Sequence, residues 1–346
     1  METLFTTHTV RRGAHVQPLP MGKPLNVSID LDGRTETVEQ FMAEQKSAGI
    51  LIIQNGSIRL EKYALGYGPE GRWTSFSVAK SITSTLVGAA IRDGYIKSID
   101  DPVTRYITGL KGSAYDGVSI RQVLTMTSGV KWNEDYTDPQ SDVAQFYSVQ
   151  PDPGVDPTVS YMRKLPREAS PGKKWVYKTG ETNLIGVLVT SATHKALADY
   201  LSEKIWRPYG MEQNAAWMVD ARGQESGGCC LSVSLRDYGR MGMFMLDGGV
   251  ADGKRVLPDG WIAAATRTQA DTGLPGQGYG YQWWTENDSS FDALGIFGQS
   301  IHIDPTRKLV VVISSAWSRA TDPARRTART ALFTGVAKAV DEGPLH

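Results

Sequence analysis

A serine followed three residues later by a lysine can supply a nucleophile and its base, and this chain contains three such pairs. Residues three apart lie on one face of a helix, so the amine can reach the hydroxyl. Ser77 and Lys80 open an apolar stretch whose spacing predicts a helix over residues 76–93. The other two pairs are interrupted by glycine or proline, which break a helix: Ser128–Lys131 and Ser170–Lys173. We therefore expect Ser77 to be the reactive serine.

The start of a helix suits Ser77 for nucleophilic chemistry. Its backbone N–H lacks an intrahelical partner and lies at the positive end of the helix dipole. That N–H could hold an oxyanion, a contribution of about 3 kcal/mol per donor. A buried Lys80 would lose its charge readily and could accept the serine proton. A plainer alternative stays open here, in which Ser77 only caps the helix and Lys80 is a surface charge.

Strand and helix patterns predict the elements that would hold this pair. Asn55-Gly56 between two apolar runs is typical of a β-hairpin. The remaining expected elements are strands over 279–285, 293–303 and 309–315 and helices over 232–246 and 323–340. Strands at both ends with helices between them predict an α/β (α+β) fold, an antiparallel sheet flanked by helices. We expect a sheet domain from residues 1–75 and 230–346 and a mostly helical domain from 76–229, with the active site at their interface.

Composition excludes several classes of partner. Lysine plus arginine and aspartate plus glutamate both number 37, so no basic surplus points to nucleic acid. No apolar run approaches the ~18 residues of a membrane span, and clustered metal ligands are absent from the sequence. We expect no cofactor, no metal, and no membrane or nucleic-acid partner. Three arginines of the last helix are expected on its solvated face: Arg325, Arg326 and Arg329.

The cysteines of this chain are the neighbours Cys229 and Cys230. Adjacent cysteines rarely meet the geometry of a disulfide, so free thiols are expected. The first 20 residues also lack the apolar stretch of a secretory signal. Both observations favour a cytoplasmic location. The sequence leaves the oligomeric state open.

A long polar segment over residues 133–157 is rich in aspartate and proline. Loops of this length inside a globular protein are usually functional or disordered. Trp132 and Tyr136, at its start, are therefore candidates for substrate contact. The acidic run Asn133-Glu134-Asp135 between them is expected to cap turns rather than to bind a metal.

Three segments occur in an order that resembles the class C β-lactamases, D-alanyl-D-alanine peptidases and related esterases. They are the Ser77–Lys80 pair, residues 170–177 ending in Tyr177, and residues 293–299 before a strand. Residues 133–139 and 245–250 are most similar to the 6-aminohexanoate-dimer hydrolase branch of this family. The resemblance implies a β-lactamase-like fold and an acyl-enzyme on Ser77. It also implies that Lys80 is the proton partner and that Tyr177 shuttles a proton to the leaving group.

The same resemblance implies how a substrate is held. The backbone N–H groups of Ser77 and Ile296 would form the oxyanion hole, and Gly295 would let substrate approach the strand. Thr179 stands where relatives carry asparagine or serine, and Tyr136 matches a tyrosine that approaches the scissile amide. Ala293-Leu294 replaces the usual Lys-Thr or His-Thr pair. This replacement removes a cation that would grip a carboxylate.

We therefore predict a serine hydrolase that cleaves small carboxylic esters or linear amides through an acyl-enzyme. Two alternatives stay open: β-lactamase or D-amino-acid peptidase activity, and a catalytically idle ligand-binding module of the same fold. A Ser-His-Asp triad is disfavoured because no Gly-x-Ser-x-Gly elbow occurs in the sequence.

Overall fold

The computed structural model describes residues 3–343, and its centre is an antiparallel sheet of eight strands. Within that range the strands are β1 (Thr7–Val10), β2 (Ile29–Leu31), β3 (Arg34–Glu36), β4 (Ser47–Gln54), β5 (Ser57–Tyr63), β6 (Trp73–Thr74), β7 (Ala215–Met218), β8 (Leu231–Val233), β9 (Val250–Ala251), β10 (Lys254–Arg255), β11 (Ala270–Leu274), β12 (Gln277–Tyr279), β13 (Trp284–Glu286), β14 (Phe291–Leu294), β15 (Ser300–Asp304) and β16 (Leu309–Ser315). The α-helices are α1 (Val38–Glu44), α2 (Val78–Arg92), α3 (Ile120–Leu124), α4 (Asp142–Phe146), α5 (Pro157–Met162), α6 (Thr179–Thr193), α7 (Leu197–Leu201), α8 (Arg207–Tyr209), α9 (Leu235–Leu246), α10 (Trp261–Ala265) and α11 (Pro323–Glu342). Short 3₁₀ turns cover Val103–Arg105 and Thr108–Leu110, and a π-helical turn covers Ser202–Trp206.

The large sheet joins the two ends of the chain. Its strand order is β11-β12-β13-β14-β15-β16-β4-β5. The N-terminal hairpin β4-β5 joins the C-terminal strands because β4 pairs with β16. Asn55 and Gly56 form the hairpin turn with φ of 50° and 75°, as the Asn-Gly pair predicted. An antiparallel sheet built from both ends and flanked by helices confirms the predicted fold class.

Helices cover both faces of the central strands, which explains why β4 and β16 are almost continuously buried. Successive side chains of a strand point to opposite faces. Ile50 and Ile52 belong to the apolar cluster beneath α1 and α11, whereas Leu51 and Ile53 belong to the cluster beneath α2 and α9. Helix α9 can approach the sheet closely because Gly239 has no side chain. A Cβ at that position would lie 2.7 Å from Ile53.

Helix α2 is enclosed by its neighbours and held by buried hydroxyl groups. Every residue from 78 to 90 is buried. The hydroxyls of Ser81 and Ser84 donate to the carbonyls of Gln282 (2.6 Å) and Tyr281 (2.7 Å), which belong to the sheet region. These bonds fix the N-terminal half of α2 against the chain segment that leads into β13. The start of this helix is therefore a rigid place for a reactive group.

Three elements differ from the sequence prediction. The strand expected over 279–285 is interrupted at residues 280–283, which form a turn between the end of β12 and the start of β13. The strand expected over 293–303 is two strands, β14 and β15. They are separated by a turn in which Gly298 has a φ of 92°, a conformation that ends an extended run. The helix expected from residue 232 begins at Leu235, because Ser232 belongs to β8 and Ser234 caps the helix.

The expectation of free thiols is wrong. Cys229 and Cys230 are joined as a disulfide, with their Cα atoms 3.7 Å apart. The chain turns sharply at Cys230, which has a φ of 68°, and this turn lets the neighbouring side chains meet. The argument from free thiols to a cytoplasmic location therefore loses its basis. Among residues 3–343, no helix is both long and apolar enough to cross a membrane.

Candidate active site

Ser77 lies at the junction between the smaller sheet and helix α2. Its sheet has the order β1-β7-β8-β6, and β6 runs directly into the turn before α2. Ser75 ties that turn to β8 by a backbone bond to Leu231, 2.8 Å long. Phe76 has a φ of 42°, which is a strained backbone conformation for a residue with a large side chain. Strained residues of this kind occur often at functional sites. This sharp turn presents Ser77 at the helix start, with only 7% of its surface exposed.

Lys80 contacts the serine that the sequence paired with it. Its Nζ lies 3.2 Å from Ser77 Oγ, 3.0 Å from Thr179 Oγ1 and 2.8 Å from the carbonyl oxygen of Gly228. Complete burial lowers the pKa of Lys80 to about 8, and the nearby Glu134 acts in the opposite direction. A neutral amine has two N–H donors and one lone pair. Thr179 and Gly228 can accept the two donors, which leaves the lone pair directed at Ser77.

Tyr177 completes the group around the serine. Its ring stacks on Trp284 with centroids 5.6 Å apart, and Lys80 Nζ lies 5.2 Å from its ring centroid. Burial and the charge of Glu134 raise the pKa of Tyr177, while a hydrogen bond with Ser77 acts in the opposite direction. The phenol therefore keeps its proton at neutral pH and can donate it.

Glu134, which the sequence predicted only to cap turns, accepts hydrogen bonds from several side chains of the site. Its carboxylate accepts hydrogen bonds from Trp132 Nε1, from the Tyr136 hydroxyl and from the backbone and hydroxyl of Thr179. A continuous chain of bonds therefore runs from Glu134 through Thr179 to Lys80. The alternation of Trp132, Glu134 and Tyr136 places them on one side of an extended segment, and this spacing was the signal available in the sequence.

The turn between β14 and β15 lies against the start of α2. Phe297 packs on Phe76 with ring centroids 4.8 Å apart. A Cβ on Gly295 would lie 2.9 Å from the Ser75 carbonyl oxygen, so only glycine allows this approach. Among the described residues, the backbone N–H groups of Ser77 and Ile296 have no acceptor. Two free donors beside the serine are what an oxyanion hole requires.

A cavity of about 320 Å³ adjoins these groups. Four of the predicted site residues line it: Tyr136, Tyr177, Gly295 and Ile296. Trp132 and Thr179 are not in the lining. They are buried and donate hydrogen bonds to Glu134. Trp284, Leu294 and Trp317 add apolar surface to the lining, and Arg326 and Arg329 add charge.

The placement of Arg329 corrects an expectation. The sequence predicted a solvated face for Arg325, Arg326 and Arg329, but Arg329 is only 6% exposed. It lies on the apolar stripe of α11 together with Leu332, Phe333 and Val336, all of which are buried. This stripe buries Arg329 between the cavity beside Ser77 and a neighbouring cavity lined by Asp292 and His302. Among the described residues, no group of three or more histidine, cysteine or carboxylate side chains could hold a metal ion.

Comparison with known proteins adds independent findings. The β-lactamase family model matches residues 35–335. The 6-aminohexanoate-dimer hydrolase of Paenarthrobacter ureafaciens is 32% identical over 300 residues, which cover 82% of this chain and 76% of that protein.

Solved structures show the same fold. A Bacillus anthracis protein provisionally assigned as a 6-aminohexanoate-dimer hydrolase superposes with a TM-score of 0.89 at 22% identity, covering 99% of this chain and 93% of its own. EstCE1, a hydrolase with promiscuous acyltransferase activity, superposes with a TM-score of 0.68 at 15% identity, covering 85% of this chain and 96% of its own. The family match spans the Ser77 site, the cavity and most of α11, and this chain belongs to the β-lactamase family, as a serine hydrolase.

Proposed function

We propose that Ser77, Lys80 and Tyr177 hydrolyse a linear amide or ester of a small carboxylic acid through an acyl-enzyme. The observation that carries this proposal is the contact between Lys80 Nζ and Ser77 Oγ, 3.2 Å long, in a fully buried position. An amine whose pKa is lowered to about 8 is partly neutral near neutral pH. It can therefore act as a general base.

We infer the proton path from the contacts of Ser77 with Lys80 and with Tyr177. Ser77 Oγ attacks the carbonyl carbon and passes its proton to Lys80 Nζ. The N–H groups of Ser77 and Ile296 hold the oxyanion of the tetrahedral intermediate. Tyr177 donates its proton to the leaving nitrogen or oxygen as the bond to carbon breaks, and it regains a proton from the Lys80 ammonium. Water then repeats the sequence on the acyl-enzyme.

The substrate class is supported by the cavity and by the relatives. The lining combines Leu294, Trp284 and Trp317 with the Tyr136 hydroxyl, which suits an alkyl chain carrying one polar bond. A relative at 32% identity is named for hydrolysis of the 6-aminohexanoate dimer, a linear amide. Trp132 and Thr179 support the site by holding Glu134. We also propose that the site lies between a sheet domain (1–75 and 230–346) and a helical domain (76–229), since Ser77 and Tyr177 come from one and Ile296 from the other.

Turnover by the parent enzyme and by a Ser77→Ala variant tests this proposal. The panel contains a p-nitrophenyl ester, nitrocefin and 6-aminohexanoate dimer. We expect kcat/KM for the ester to exceed that for nitrocefin, and Ser77→Ala to lose at least about 10³-fold on every substrate that is turned over. Circular dichroism of Ser77→Ala should match the parent. Undiminished turnover by Ser77→Ala would move the nucleophile elsewhere.

A further inference from the structure

A completely buried ion pair lies beside the proton path but takes no part in it. Lys178 stands between Tyr177 and Thr179 in the sequence, and its ammonium lies 3.8 Å from the carboxylate of Glu181, with neither side chain exposed. Removing two charges from water is costly, so a buried ion pair is weak evidence of added stability. In some proteins such a pair instead selects one geometry over its alternatives. Its place in the sequence points to the geometry of Tyr177.

The Lys178 side chain folds back on the backbone next to Tyr177. Its Nζ donates to the carbonyl oxygens of Val176, at 3.1 Å, and of Met126, at 3.5 Å. The Met126 carbonyl also accepts the backbone N–H of Val176 at 3.1 Å, and the backbone N–H of Lys178 is directed at Met126 Sδ at 3.2 Å. Both chain neighbours of Tyr177 are therefore tied to Met126.

Glu181 fixes the other end of the pair. It lies in the first turn of α6, and its carboxylate accepts hydrogen bonds from the hydroxyls of Tyr115, at 3.2 Å, and Ser128. Its Oε2 atom forms no hydrogen bond with any described residue and faces Lys178. Burial raises the pKa of Glu181, and the charge of Lys178 is the largest effect that opposes this rise. The ammonium therefore joins the backbone beside Tyr177 to an anchored carboxylate on α6.

The position of Lys178 in α6 is unfavourable for a lysine. Lys178 is the N-cap of this helix, where serine, threonine, aspartate and asparagine are preferred, and its side chain forms no capping bond with any described residue. A positive charge there also opposes the helix dipole. Local rules of this kind are broken mainly where another function is served. Here the ammonium gains two carbonyls beside Tyr177 and the charge of Glu181.

We propose that Lys178 and Glu181 are positioning residues that hold the Tyr177 hydroxyl where it can protonate a leaving group. This inference rests on the proposed function and adds two residues to it that touch no substrate, since neither is among the described residues that line the cavity. Because stacking on Trp284 fixes the plane of the Tyr177 ring, the backbone position sets how far its hydroxyl reaches. Proton transfer is sensitive to misplacement, and an error of about 1 Å can cost about hundredfold in rate.

Two butyrate esters separate positioning of Tyr177 from general stability. The p-nitrophenolate of p-nitrophenyl butyrate leaves without a proton, whereas the ethoxide of ethyl butyrate needs one. We expect Lys178→Met/Glu181→Gln, which removes both charges together, to lower kcat/KM for ethyl butyrate by about tenfold to hundredfold. The loss for p-nitrophenyl butyrate should stay below about threefold. Lys174→Met is the matched control and should change neither rate, because Lys174 pairs with Glu168 at the surface, at 2.6 Å.

A double-mutant cycle with Tyr177→Phe tests whether the pair acts through this tyrosine. Tyr177→Phe alone should show the same split between the two esters, with a larger loss on ethyl butyrate. Adding Lys178→Met/Glu181→Gln to it should cost less than about a further threefold, because the hydroxyl that the pair positions is gone. A full further loss would overturn the positioning role, and so would equal losses on both esters in the Lys178→Met/Glu181→Gln variant.

The failure of this inference can be told apart from the failure of the proposed function. Equal losses on both esters in Tyr177→Phe would refute the proton-donor role of Tyr177, and this inference with it. The expected split in Tyr177→Phe without one in Lys178→Met/Glu181→Gln would refute this inference alone. If the latter variant does not fold, Glu181→Gln alone removes the carboxylate charge and keeps an acceptor oxygen for Tyr115 and Ser128. A smaller split in the same direction is then expected, and its absence would contradict the proposal.

Discussion

Lys80 and Arg329 are both buried cations, but their surroundings are opposite. Lys80 has three oxygen partners within 3.2 Å, whereas Arg329 has none among the described residues. Lys80 sits where burial lowers its pKa into the range of neutral pH, so it can exchange a proton. Arg329 keeps its charge because a guanidinium loses its proton only at much higher pH. Lys80 is therefore placed to exchange a proton, whereas Arg329 stays charged.

The largest effect is expected from a variant that keeps a positive charge at position 80 but cannot lose a proton near neutral pH. Lys80→Arg places a permanent cation beside Ser77, and a guanidinium cannot accept the serine proton. We expect ester turnover to fall by about 10³-fold, the scale of a lost general base. Ester turnover by Lys80→Met should fall by as much. Substantial activity in Lys80→Arg would mean that position 80 supplies charge rather than a base.

The next test removes the carboxylate that orients Lys80. Glu134→Gln weakens the bonds to Thr179 and deletes a charge that raises the pKa of Lys80. We expect a loss of about tenfold to hundredfold in kcat/KM. The pH at half-maximal activity should also move to a lower value, because Lys80 would lose its proton more easily. A lower rate with an unmoved pH profile would assign Glu134 a packing role only.

A smaller effect is expected at Tyr136, whose hydroxyl bonds Glu134 and whose side chain lines the cavity. An amide nitrogen leaves poorly until it is protonated, so a nearby phenol should help amides more than esters. Tyr136→Phe should lower amide hydrolysis by about tenfold, the scale of one lost hydrogen bond. Parallel kinetics on one ester and one matched amide measure the difference. Equal losses would leave Tyr136 as a loop anchor.

Local spacing accounts for what the sequence could predict. Ser77 and Lys80 are three residues apart at the start of one helix, and the apolar pattern that follows them predicted that helix. The Asn55-Gly56 turn and the sheet built from both ends of the chain were likewise readable from short patterns. The helix and the turn depend on neighbours in sequence, whereas the sheet was predicted from the order of strands and helices along the chain.

Long-range contacts account for what it could not. Glu134 acquires its role from Thr179, which is 45 residues away in the chain. Arg329 is buried because its helix face packs inward, and it contacts the ring of Trp317. Its position at three, four and seven residues before Leu332, Phe333 and Val336 was the available signal, since that spacing marks a buried stripe. The disulfide at Cys229 depends on the φ of one residue, which composition does not encode.

Activation of Ser77 by a neutral Lys80 is tested most directly by the rate at which a fluorophosphonate probe labels Ser77. Intact-mass spectrometry would follow adduct formation between about pH 5 and 10. Because the amine is protonated below its pKa and neutral above it, the rate should rise with pH and level off, with a midpoint near 8. Ser77→Ala should form no adduct. A labelling rate that does not change with pH, or an adduct on Ser77→Ala, would contradict the account.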